Sequence, residues 1–202
     1  MDCVKEGIRV LGIDDSPFEN HEKHGKKHGK KNKVLVVGVV YRQDIVEGLM
    51  STRITKDGTD SNLQLQRMVN NSKFLPQIKL ILLHGTMMAG LNVVDIKKLS
   101  KNLHIPIIAI TRRKPNMKNV YNALRKSNTD TFERKKRIIE DVADSAGGFH
   151  KTTIKGESYY VQSFGLDAKK AANILNSFGI ESLRLAHLIG SGIVKGESNG
   201  RI

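Results

Sequence analysis

Ile78-Lys79-Leu80-Ile81-Leu82-Leu83 and Ile105-Pro106-Ile107-Ile108-Ala109-Ile110 are short, almost unbroken apolar runs rich in isoleucine. Runs of this length bounded by turn residues read as buried strands. Between them come a glycine-bounded turn, Gly85 to Gly90, and apolar positions Val93, Val94, Ile96 and Leu99 at helical spacing. Asn92 stands where an N-cap belongs, and Asp95 three residues on completes a capping-box pattern with Asp in place of Glu. Strand, helix and strand over this length form a parallel crossover unit.

Upstream, Ile8 to Ile13, Val34 to Tyr41 and Ile45 to Thr55 read as strands, the last weakened by Gly48. The close succession of the second and third predicts an antiparallel meander. Asn62 to Asn71 has helical spacing, with Asp60 or Ser61 suited to cap it. Downstream, helices are expected over Met117 to Lys126, Thr131 to Ser145, Ala168 to Phe178 and Ser182 to Ile193, with Tyr159 to Ser163 an edge strand. Three antiparallel strands followed by parallel strands with crossover helices match a ribonuclease H-like mixed α/β sheet. The 202 residues are expected to form one such domain over 1–202, long enough to bury a substantial core. Residues 19–33 interleave lysines with His21, His24 and His28 and cannot bury a face, so that tract reads as a flexible basic loop.

The formal charge is +14, from 34 Lys and Arg against 20 Asp and Glu, which favours a polyanionic partner, DNA or RNA before a membrane surface. Cys3 is the only cysteine, which excludes a disulfide framework and a cysteine-based zinc site. No apolar run reaches the roughly 18 residues of a spanning helix, so the expected setting is cytoplasmic.

Acids at the ends of apolar runs stand out against this cationic background. Asp14 closes the first strand, and Asp57 and Asp60 follow the third. Carboxylates projecting from neighbouring strand ends suit a hard cation, Mg²⁺ or Mn²⁺, held against a scissile phosphate. The competing reading is turn chemistry, with Asp60 an ordinary N-cap. Asp15 faces the opposite side of its strand from Asp14. Arg184 and His187 are three apart and share a helix face, which serves phosphate binding and proton transfer if that face overlooks the strand ends. Arg112-Arg113-Lys114 follows a strand and reads as a phosphate-contact patch, whereas Arg134-Lys135-Lys136-Arg137 reads as the outer face of a helix. Gly85 to Gly90 has no Gly-Lys-Ser ending, so a nucleotide-hydrolysing P-loop is not supported.

Four separated segments carry a family resemblance: Gly12-Ile13-Asp14-Asp15-Ser16-Pro17-Phe18, Ala89-Gly90-Leu91-Asn92-Val93-Val94-Asp95, Leu183-Arg184-Leu185-Ala186-His187-Leu188-Ile189 and the tail Gly196-Glu197-Ser198-Asn199-Gly200-Arg201. In order, over nearly the whole chain, they resemble a mainly archaeal family catalogued as domain of unknown function ninety-nine. The resemblance implies fold-level kinship with endonuclease V, a metal-dependent nuclease that cuts near deaminated bases. It implies that Asp14 is the first-strand metal ligand and that Asp57, one methylene shorter than the expected glutamate, is the second, with Asp60 competing. His84 stands where that enzyme has an aspartate, and imidazole suits Mn²⁺ better than Mg²⁺. His187 is the counterpart of a late histidine, and Arg112, Arg184, Ser198 and Arg201 are candidate phosphate contacts. Two functions follow as expectations: an endonuclease V-like metal-dependent phosphodiesterase, or a nucleic-acid-binding protein that has lost its metal centre.

Overall fold

The computed structural model describes residues 7–18, 32–127 and 129–199, so Cys3, Arg201 and the His/Lys-rich tract up to residue 31 lie outside the described residues. β1 (Arg9–Asp15), β2 (Lys33–Arg42) and β3 (Ile45–Thr55) form the antiparallel meander. β4 (Ile78–His84) adds in parallel on the free side of β1, and a small hairpin follows, β5 (Met87–Met88) with β6 (Asn92–Val93). β7 (Ile107–Thr111) pairs in parallel with β4. β8 (His150–Ile154) and β9 (Glu157–Phe164) form a hairpin that docks β9 antiparallel on β7. The seven-stranded sheet has the order β3-β2-β1-β4-β7-β9-β8, the mixed α/β arrangement of a ribonuclease H-like fold.

Helices cover both faces, which explains why the central strands are apolar at nearly every position. Leu11, Ile13, Ile81, Leu83, Ile107 and Ala109 face α1 (Ser61–Asn70), α2 (Ile96–Leu103) and Val142 of α4 (Thr129–Ala146), which follows α3 (Met117–Ser127). The alternate positions Val10, Leu80, Leu82, Ile108, Ile110 and Val161 face α5 (Ala168–Phe178) and Leu183 of α6 (Glu181–Lys195). Among the described residues no helix is long and apolar enough to cross a membrane.

Three local expectations change. The strand around Tyr159 is not an edge: β8 lies outside it, a half-polar strand whose one fully buried apolar residue is Ile154. Asn92 caps no helix, because it is consumed in β6; α2 starts at Ile96 and its cap is Asp95, whose carboxylate accepts from Lys98 N (2.8 Å). Gly48 is a packing requirement rather than a weakness, since a Cβ there would collide with the Phe74 ring.

One packing detail positions the site. α6 lies along β1 in the same direction: Gly12 meets the backbone of Ser182 and Leu183, Asp14 meets His187, and Gly190 meets Ser16. From Gly12 to Ser16 the strand advances about 13 Å and from Ser182 to Gly190 the helix about 12 Å, so the two stay in step. Only a glycine at position 12 admits this approach, because any Cβ would overlap the carbonyl of Ser182.

Candidate active site

β1 and β4 run parallel side by side, so Asp14 and His84 emerge at the same rim of the sheet. α6 brings His187 down onto them. Asp14 is 2% exposed. His187 Nδ1–H donates to its Oδ2 (2.8 Å), His84 Nδ1–H to its Oδ1 (3.3 Å), and the backbone N–H of Asp15 also to Oδ1 (3.0 Å). Burial pushes the Asp14 carboxyl up, but the hydrogen bonds from His187 and His84 outweigh it and hold the group below its ordinary value. The same contact works in reverse on His84, whose hydrogen bond to Asp14 overcomes burial and raises its affinity for a proton. An ionised carboxylate only accepts, so both rings carry their proton on Nδ1 and turn Nε2 away from Asp14. The two rings are perpendicular, with centroids 6.4 Å apart, and both side chains reach solvent.

Asp15 points to the other face, as strand alternation requires. Its Oδ2 accepts from Ala89 N (2.9 Å), and burial together with the charge of Asp14 pushes its carboxyl up to about 6. The backbone of Asp57, in the left-handed region at φ 53°, donates to Ala89 O (2.9 Å), and its Oδ1 accepts from Leu91 N (2.8 Å). Lys135 Nζ reaches in from α4 to donate to Asp57 O (2.7 Å). That lysine is 2% exposed, so the basic run 134–137 is not simply a solvent face, and burial lowers its proton affinity. Asp60 is further committed. Its carboxylate accepts from Thr55 N (3.0 Å), Thr55 Oγ1 (2.7 Å), Lys33 Nζ (2.9 Å) and Asn92 Nδ2 (2.8 Å). Burial alone would raise its pKa, but the bonds from Lys33, Thr55 and Asn92 drive it far below the usual range. It ties the end of β3 to β6 and gives α1 no side-chain cap.

A hard cation needs several oxygens converging at about 2.1 Å. The expected set of Asp14, Asp57, Asp60 and His84 does not converge in this way. Asp60 is saturated by four donors, Asp57 holds the 89–91 loop, and each oxygen of Asp14 faces a different imidazole. Among the described residues no three His, Cys, Asp or Glu side chains form a group suited to an ion. The side chains as arranged do not fit the metal centre that the resemblance implies. They gather Asp14 with His84 and His187 instead.

The remaining candidates lie apart from that centre. Arg112 bridges to Glu157 (Nη2 to Oε2, 3.0 Å) and stacks over Tyr159, beyond the end of β7. Arg184 donates through Nε to both Glu181 oxygens (2.9 and 3.1 Å), a turn before His187 and towards the Gly12 end of β1, so it does not share the strand-end rim. Ser198 is exposed beyond the end of α6. Sequence reasoning missed the dual engagement of Asp14, because its partners are 70 and 173 residues away. The buried role of Lys135 carries no signal inside a run of four basic residues.

The chain belongs to the endonuclease dU family, whose model matches residues 6–194. It is 37% identical over 204 residues to a UPF0215 protein of Methanopyrus kandleri, covering 97% of this chain and 96% of that protein. A UPF0215 protein of Pyrococcus furiosus is 36% identical over 203 residues, with 97% of each chain covered. Among solved structures, a protein of unknown function from Archaeoglobus fulgidus superposes with a TM-score of 0.77 at 34% identity, covering 93% of this chain and 98% of that one. Human endonuclease V gives a TM-score of 0.51 at 12% identity, covering 89% and 81%, a likeness of fold.

Proposed function

We propose that this member of the endonuclease dU family is an endonuclease V-like nuclease that cuts a nucleic-acid strand bearing deoxyuridine or another deaminated base. Asp14, His84 and His187 form its reactive centre. The observation that carries this reading is the buried Asp14 carboxylate joined to two solvent-reaching imidazoles at the strand-end rim. The family's name supplies the base, and the charge of +14 supplies attraction to phosphates.

The residues support proton transfer on both sides of a phosphodiester. Asp14 orients each ring and leaves Nε2 as the reacting nitrogen. His187, as the neutral base, takes a proton from the attacking water as its oxygen bonds to phosphorus. His84, whose protonated form Asp14 favours, gives its proton to the leaving oxygen as the P–O ester bond breaks. No step passes through a metal, in keeping with the donor arrangement described above.

A second reading, nucleic-acid binding without cleavage, is favoured by Asp57 and Asp60, whose carboxylates hold backbone and neighbouring side chains. One assay separates the two. An end-labelled strand with a single uracil is incubated with the protein in EDTA, in Mg²⁺ and in Mn²⁺. Cleavage is expected, falling roughly 10²- to 10⁴-fold in Asp14→Asn and His187→Gln. Tight binding without product in all three conditions selects the binding protein. Cleavage that disappears only in EDTA returns the cation to the centre and refutes the two-imidazole scheme.

A further inference from the structure

The connection after β4, the start of α3 and the inner side of α4 enclose a cavity of about 490 Å³. That lies within the range of small-molecule sites, about 300–1,000 Å³. Thr86 and Met87 line it just past His84, Pro115 and Tyr121 from the α3 side, Phe149 from the approach to β8, and Gln162 from the sheet. The walls are mostly apolar, and Gln162 is the exception. It is 3% exposed, and its side-chain amide has no hydrogen bond to any described residue. Leaving a buried amide unpaired is unfavourable, and folded proteins rarely tolerate it without a purpose. Register accounts for its direction: Gln162 pairs with Ala109, which pairs with Leu83, and all three share the sheet face beneath α2 and α4.

We propose that this cavity receives one nucleobase displaced from its strand and reads it through the Gln162 amide. A primary amide presents a donor and an acceptor side by side in one plane, the complement of the N–H/C=O edge of a keto base such as uracil or hypoxanthine. Tyr121 and Phe149 supply flat apolar walls for the ring. The charges around the cavity set its orientation. Glu140 and Asp144, both exposed, line the α4 side and repel phosphate. Arg113 and Lys114, also exposed, directly precede Pro115 on the other side and attract it. The base enters and its phosphates stay outside. Gln162 and Asp14 lie three inter-strand steps apart, about 14 Å, so one strand lying across the ends of β4 and β7 engages both.

This inference rests on the nucleic-acid reading above and deepens it, and its test needs neither a strand nor cleavage. Saturation-transfer NMR on the full chain uses free 2′-deoxyuridine and 2′-deoxyinosine as probes, with deoxyribose as the control. Wild-type protein is expected to transfer saturation to the base protons and not to deoxyribose. Gln162→Leu should weaken both nucleosides about tenfold while melting at the same temperature or higher, because the orphan amide is gone. Ala143→Trp, which fills the cavity from α4, should abolish the signal. Absence of transfer to the wild type, wild-type binding by both variants, or a lower melting temperature in Gln162→Leu would each overturn the proposal. Nucleoside binding without strand cleavage would refute the nuclease reading and leave the base pocket standing. Cleavage with no nucleoside binding would do the reverse.

Discussion

Asp15→Asn keeps an acceptor for Ala89 N–H and removes only a charge, so its effect on stability isolates the electrostatics beside Asp14. In the folded protein burial, and then the negative charge of Asp14, push this carboxyl from 3.8 up to about 6. Below pH 3.8 both folded and unfolded chains hold the proton and the group imposes no penalty. As pH rises towards 6 the unfolded chain releases it readily and the folded one resists, so stability falls. The gap between 3.8 and about 6, at ~1.4 kcal/mol per pH unit, gives about 3 kcal/mol. Solvent reaching the partly exposed group reduces the observable gain to about 2 kcal/mol. Asn does not titrate, so Asp15→Asn should be more stable than wild type by that amount at pH 7 and by nothing near pH 3.5. Urea unfolding at pH 3.5, 5 and 7 measures the difference, and the acid loss associated with Asp14 largely cancels between the two proteins. Equal stability at pH 7, or a difference that does not grow between pH 4 and 6, refutes the reasoning. A charge retained at a loss in stability is what a working site shows, where function and stability pull apart.

Two further substitutions test how the fold delivers the site. Gly12→Ala forces a methyl group into the backbone of Ser182 and Leu183 and should cost about 3 kcal/mol in urea unfolding. By lifting α6 it should also part His187 from Asp14, so strand cleavage falls further than the folded fraction does. Asp60→Ala leaves Thr55 N–H, Lys33 and Asn92 without their acceptor and should cost about 3 kcal/mol, read from the urea midpoint at unchanged m-value.

The sheet was legible because its strands repeat a simple physical pattern. Val34 to Tyr41 and Ile78 to Leu83 are apolar at almost every position, as strands covered on both faces must be. The hairpin strand β8 was not legible, since an edge with exposed Lys151 and Thr153 and a single fully buried apolar residue resembles a loop. The start of α2 was misread for another reason. Asn92 and Asp95 are both good caps by type, and only the pairing of β5 with β6 decides that Asn92 is already in use.

Asp14, Asp57 and Asp60 are equivalent as sequence features, each an acid just past an apolar run, and the fold makes them different by what donates to them. Asp60 receives a backbone amide, a hydroxyl, an ammonium and a side-chain amide, and becomes a structural knot. Asp57 receives a loop amide and becomes a brace for residues 89–91. Only Asp14 receives two groups that can themselves gain and lose a proton near neutral pH. The histidine at position 84 is therefore more than a missing acid. A carboxylate there would repel Asp14 and need a cation to hold the pair together, whereas an imidazole satisfies Asp14 directly and turns its own free nitrogen to solvent. The replacement changes the chemistry available to this rim from ion binding to proton transfer, and it does so through one hydrogen bond between strands that the parallel register of β1 and β4 brings side by side.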